Sequence, residues 1–131
     1  MNRWKTSNTA VFNLSYHLIW CPKYRRPVLT EKIQKRMLEL IHEKAAELDM
    51  EIVEANIMPD HVHLFVRTRP IHAPQFIVGQ LKGYTSRILR QEFPELKSRL
   101  PTLWTRSYYI DSVGKLNEYM IRKYVQEQKN K

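Results

Sequence analysis

The stretch Met58-Pro59-Asp60-His61-Val62-His63-Leu64-Phe65-Val66 joins two runs of strand-forming residues through a connection short enough to force an antiparallel hairpin. Strands are expected from about 51 to 57 and from about 61 to 67, with His61 beside the turn. Side chains on a strand alternate in direction, so Val62, Leu64 and Val66 leave for the core while the imidazoles of His61 and His63 leave together from the opposite face. Two nitrogen ligands therefore sit side by side on an open sheet surface. The next outward position is Phe65, which argues against chemistry built on three alternating histidines.

Upstream, residues 11 to 20 alternate, with Phe12, Leu14, Tyr16 and Leu18 on one side and Asn13, Ser15 and His17 on the other, as in a half-buried strand. After the loop Cys21-Pro22-Lys23-Tyr24-Arg25-Arg26-Pro27, Thr30 caps an expected helix whose apolar positions Ile33, Met37, Leu40, Ile41, Ala45 and Leu48 follow the helical period. Downstream, Pro70 and Pro74 bound a loop, and Pro74 suits the first turn of a helix with Ile77, Leu81, Tyr84 and Ile88 on one face. Its other face carries Gly79, Lys82, Gly83, Ser86, Arg87 and Arg90. Pro94 and Pro101 punctuate the next connection, and Leu103 to Asp111 reads as a fourth strand containing Trp104, Tyr108 and Ile110. Gly114 separates it from a final helix over about 115 to 129. The order strand, helix, strand, strand, helix, strand, helix predicts one α+β domain over residues 1–131, a ferredoxin-like (RRM-like) antiparallel sheet with two helices on one face and the other face open.

The chain has 131 residues and 43% hydrophobic composition, enough for one core and small for two. Its 22 Lys+Arg against 13 Asp+Glu leave a charge of +9, a balance that favours polyanions and above all nucleic acid. The single cysteine, Cys21, excludes an intramolecular disulfide and a cysteine metal cluster, which fits a reducing cytoplasm. The beginning Met1-Asn2-Arg3-Trp4-Lys5 lacks a signal peptide's apolar region, and no apolar run reaches membrane-spanning length. A soluble, intracellular protein is expected.

The final helix places Tyr124 and Gln128 one turn apart, so a phenol and an amide oxygen share a face. Brought to the histidines, that face makes a metal-assisted tyrosine nucleophile. Each motif also has a plainer reading: strand alternation alone puts polar residues where His61 and His63 stand, and Leu116, Met120, Tyr124 and Val125 form an ordinary buried stripe. Lys23-Tyr24-Arg25-Arg26 mixes charge with a stackable ring, as single-stranded nucleic acid requires. Gly79 and Gly83 each cost about 1 kcal/mol relative to Ala inside a helix, a cost that close approach to another helix or to a phosphate backbone would offset. Lys82, Arg87 and Arg90 beside them favour phosphate.

With His17 to Leu29, Met58 to Val66, Leu81-Lys82-Gly83-Tyr84-Thr85-Ser86 and Tyr124 to Gln128 in this order, the chain resembles the single-tyrosine HUH transposases of the insertion-sequence-two-hundred-like group. The resemblance implies a homodimer that cuts and rejoins single-stranded DNA near subterminal hairpins through a 5′-phosphotyrosine. By position it makes Tyr124 the nucleophile, His61, His63 and Gln128 the metal ligands, and magnesium or manganese the metal. Imidazole alone would sooner suggest zinc, nickel or iron. The expected location is the cytoplasm, at the nucleoid. Two alternatives stand beside this one: a chromosomal tyrosine transposase associated with repetitive elements, and a non-catalytic RRM-like module that uses the histidines only to contact bases. The glycine at 114 further suggests a tyrosine helix free to re-dock, on its own subunit or its partner's.

Overall fold

Pro59 and Asp60 alone make the hairpin turn, because β4 (Glu51–Met58) and β5 (His61–Thr68) pair antiparallel with Met58 opposite His61. The computed structural model describes residues 5–6, 11–12, 14–69, 71–112 and 118–130. The expectations placed on Asn13, Pro70, Gly114 and Leu116 fall outside these residues. Alternation along β5 is complete: Val62, Leu64, Val66 and Thr68 are buried, and His61, His63, Phe65 and Arg67 are half-buried on the other side. The register of β4 shifts between Ile52 and Glu54, which leaves Val53 out of the ladder on this edge strand.

The expected first strand over residues 11 to 20 is extended throughout its described residues. A short pair, β1 (Lys5–Thr6) with β2 (Val11–Phe12), precedes β3 (Leu14–Trp20). β3 pairs antiparallel with β5 on one side and with β6 (Tyr109–Ser112) on the other, giving the sheet order β4-β5-β3-β6. Its Tyr16, Leu18 and Trp20 point to the core and its Ser15, His17 and Ile19 point away. This is the split βαβ arrangement the pattern predicted.

Thr30 caps α1 (Glu31–Glu47) by accepting from the Ile33 amide at 3.4 Å. The six apolar positions from Ile33 to Leu48 are all buried, so α1 packs along one stripe. Pro74 opens α2 (Pro74–Glu92), which buries Ile77, Val78, Leu81 and Leu89 beside α1. Each fully buried Leu or Ile contributes about 1.5–3 kcal/mol to this single core.

The fourth strand is shorter than the sequence suggested. A short helix, α3 (Glu95–Arg99), follows α2, and residues 103–108 form only a bridge, Trp104 with Pro22. The reason is where the backbone groups of this segment go. Lys82 Nζ donates to the carbonyls of Thr105 and Ser107 at 2.6 and 3.0 Å, and the Thr105 amide donates to the Cys21 carbonyl at 3.0 Å. Trp104 Nε1 donates to the Lys82 carbonyl at 3.1 Å, so a side chain from the core anchors the turn of chain. These partners replace a sheet ladder. The last elements are α4 (Glu118–Glu127) and one 3₁₀ turn, Gln128–Asn130.

Candidate active site

Residues directly opposite each other in a sheet share a face, so His63 on β5, Ile19 on β3 and Tyr109 on β6 form one row across the side away from the core. Ile19 is nonetheless fully buried. The Tyr109 ring lies 6.1 Å from that of Tyr124, which puts the C-terminal helix on the histidine face. The sequence left this face open; part of it is covered by α4.

His61 and His63 leave β5 together, as alternation requires, and each has a neighbour. His61 Nδ1 lies 3.0 Å from Asp60 Oδ1, the carboxylate of the turn. A carboxylate on one ring nitrogen fixes the ring and raises the basicity of the other, the usual surroundings of a metal-binding imidazole. His63 Nε2 lies 3.4 Å from His17 Nδ1, and the His17 ring stacks on Phe65 with centroids 4.6 Å apart. Burial, and then the neighbouring His17, hold His63 below the ordinary histidine range, so it is neutral and able to ligate near neutral pH.

Tyr124 and Gln128 meet through a residue that sequence reasoning did not single out. Ser107 Oγ lies 3.2 Å from the Tyr124 hydroxyl and 2.9 Å from Gln128 Oε1. An amide oxygen only accepts, so the serine proton goes to Gln128 and the phenol donates its own proton to Ser107. Thr105 Oγ1 donates to the same amide oxygen at 3.4 Å and accepts from the Ser107 amide at 3.1 Å. Gln128 Nε2 donates back to the Tyr124 carbonyl at 3.2 Å, and Gln128 is only 2% exposed. Burial pushes the Tyr124 phenol up to about 12. Its nearest thiol, Cys21, is likewise pushed up to about 12 by burial. Both are neutral at physiological pH.

For a divalent metal, the imidazole pair fits in phase, both rings leaving the same face of β5. Gln128 offers the right kind of oxygen, but in this arrangement that oxygen accepts from Ser107 and Thr105. Among the described residues, no group of three or more His, Cys, Asp and Glu is placed to hold a metal.

The basic residues separate into two groups. Tyr24 is 40% exposed, with Lys23 Nζ 5.2 Å and the Arg26 guanidinium 6.0 Å from its ring. Arg87 is exposed on α2 beside Tyr84. Others are drawn inward. Lys82 holds two carbonyls, and Arg90 Nη2 donates to the Leu100 carbonyl at 3.4 Å. Arg25 pairs with Asp60 at 3.4 Å and donates to the Val125 carbonyl at 3.3 Å. Tyr24 and Arg25 both have left-handed backbones, with φ of 59° and 51°. Such a conformation costs a non-glycine residue on the order of 1–3 kcal/mol. Gly79 and Gly83 face open space, since a Cβ at either would meet nothing within 4 Å. The close approach to another helix expected at these glycines is therefore not made by the described chain.

Comparison with known proteins gives a consistent result. The family model described as "Transposase IS200 like" matches residues 10–128. The chain is 37% identical over 129 residues to the ISDra2 transposase TnpA of Deinococcus radiodurans, covering 97% of this chain and 92% of that protein. It is 30% identical over 119 residues to the transposase for insertion sequence element IS200 of Salmonella typhimurium, covering 89% and 78%. Among solved structures, a crystal structure described as that of a transposase from Deinococcus radiodurans R1 superposes with a TM-score of 0.87 at 33% identity, covering 95% of this chain and 97% of that one. A REP-associated tyrosine transposase bound to a REP hairpin gives a TM-score of 0.58 at 13% identity, covering 85% and 61%, a likeness of fold alone.

Proposed function

Since the chain belongs to the IS200-like transposase family, we propose that it cuts and rejoins single-stranded DNA beside hairpins, with Tyr124 as the attacking group. The observation that carries this reading is the Tyr124 hydroxyl, held by Ser107 on the same sheet face as His61 and His63.

The Tyr124 oxygen attacks the scissile phosphorus, its bond to phosphorus forms, and the bond from phosphorus to the 3′ oxygen breaks. The departing 3′ oxygen gains a proton and the phenol loses one, so the step is neutral in charge. The product is a 5′-phosphotyrosine and a free 3′-OH. Because the ester bond is exchanged rather than hydrolysed, the 3′-OH of another strand can reverse the reaction without ATP. Ser107 accepts the phenol's hydrogen bond before attack and holds the oxygen in place. Burial keeps Tyr124 protonated until substrate arrives.

Magnesium or manganese, held by His61, His63 and Gln128, would supply Lewis acidity that draws off the charge building on the phosphate. The proposed partner is single-stranded DNA with hairpins, a reading supported by the structurally similar REP-associated tyrosine transposase that is bound to a REP hairpin. Tyr24 with Lys23 and Arg26 would stack and neutralise it, and Arg87 would add a phosphate contact. A homodimer, as the family resemblance implies, is the proposed working form.

The test is incubation of the protein with labelled single-stranded DNA and manganese. A denaturant-resistant adduct that maps to Tyr124 is the expected result. No adduct, with hairpin binding retained, would leave a non-catalytic binding module.

A further inference from the structure

We infer that Arg25 is a positioning residue that ties the end of the Tyr124 helix to Asp60 and, through Asp60, to the ring of His61. This rests on the reading of Tyr124 and His61 as parts of one site. A single guanidinium makes both connections: Nε lies 3.4 Å from Asp60 Oδ2, and Nη1 lies 3.3 Å from the Val125 carbonyl and 3.5 Å from Gln126 Oε1. Asp60 divides its two oxygens, giving Oδ2 to Arg25 and Oδ1 to His61 Nδ1 at 3.0 Å. The chain of contacts runs from the residue after the proposed nucleophile to a proposed metal ligand.

Three further observations fit this role better than that of a phosphate contact. The Arg25 side chain is only 18% exposed, whereas Tyr24 and Arg26 beside it are exposed. Val125 lies in the last turn of α4, where carbonyls lack intrahelical partners and the helix dipole is negative, so a cation is favoured there. Finally, consecutive left-handed backbones at Tyr24 and Arg25 reverse the chain so that neighbouring side chains part company. Such conformations persist only where surrounding contacts hold them. A lysine could not replace the arginine, because its one nitrogen cannot serve Asp60 and Val125 from two corners of a rigid plane.

The inference predicts that docking of α4 and orientation of His61 rise and fall together. The experiment uses the full chain with Arg25→Ala, Arg25→Lys, Asp60→Asn and the Arg25→Ala/Asp60→Asn pair. Three quantities are read: affinity for a hairpin-bearing single strand at several salt concentrations, the single-turnover rate of adduct formation with manganese, and hydrogen exchange of the amides over 122–127. Arg25→Ala should leave affinity and salt slope near wild type, slow adduct formation by about 10- to 100-fold as loss of a ligand-supporting contact does, and speed the exchange. Arg25→Lys should fall between. The double variant should be little worse than the worse single one, because both remove the same connection.

A salt slope shallower by about one unit in Arg25→Ala, with affinity loss accounting for the lost rate, would make Arg25 a phosphate contact and overturn the inference. Unchanged rate and exchange would overturn it as well. If wild-type protein gives no adduct at all, the reading of Tyr124 as nucleophile has failed, and the exchange measurement still decides whether Arg25 holds the helix.

Discussion

Tyr124 has a hydroxyl bonded to Ser107 and a ring against Tyr109, and the two ends predict different things. Tyr124→Phe removes the attacking oxygen while the ring still packs against Tyr109. Adduct and cleavage should vanish with hairpin affinity unchanged, as gel and filter-binding assays would report. Ser107→Ala keeps the nucleophile but loses the hydroxyl that aims it. The expected loss is about 1 kcal/mol or somewhat more of alignment, a five- to thirtyfold slower single-turnover rate at saturating DNA, and Ser107→Thr should recover part of it. Equal rates for wild type and alanine would remove Ser107 from the site. Lys82 carries a pH prediction. Burial pushes its ammonium down to about 8 from 10.5, so between those values the unfolded chain binds more protons and stability rises with pH. Cys21 and Tyr124, both raised, act in the opposite sense at higher pH. Urea midpoints of wild type against Lys82→Met from pH 7.5 to 10 should therefore diverge upward for wild type across the window. The shared face of His61 and His63 and the one-turn spacing of Tyr124 and Gln128 were legible because strand alternation and helical spacing act over a few residues. Ser107 was not, because its position depends on Lys82 reaching across from another helix.

Among the elements, α1, α2 and the hairpin follow their sequence signals closely, since caps, prolines and periodic apolar residues all act locally. The fourth strand does not, although its residues favour strands. Its first half loses the ladder to Lys82, Trp104 and the Cys21 carbonyl, contacts no local pattern announces. The short helix after Pro94 was missed for want of length. On α2, the glycines at 79 and 83 leave open space above the helix, a groove only if a ligand lies there. Gly79→Ala and Gly83→Ala should each stabilise the protein by roughly 0.5–1 kcal/mol in urea denaturation, since the new methyl meets nothing and helix propensity improves. If the groove receives a phosphate backbone, the same variants will bind hairpin DNA more weakly despite being more stable. Undiminished binding would mean the glycines serve something else.

At the scale of the whole molecule, a charge of +9 makes association with DNA steeply salt-dependent. Neutralising Lys23 or Arg26 should each reduce the slope of log affinity against log salt by about one unit, whereas neutralising Lys82, whose ammonium is turned inward, should not. Fluorescence anisotropy across a salt series distinguishes them. The sheet order has a consequence in time. The histidines belong to a hairpin closed by two residues, while Tyr109 reaches Ile19 only after some ninety residues of intervening chain have been gathered in. Local loops close early and distant ones late. A chain refolding from denaturant should thus bring His61 and His63 side by side before Tyr124 has a place to rest, so the proposed metal ligands come together ahead of the proposed nucleophile.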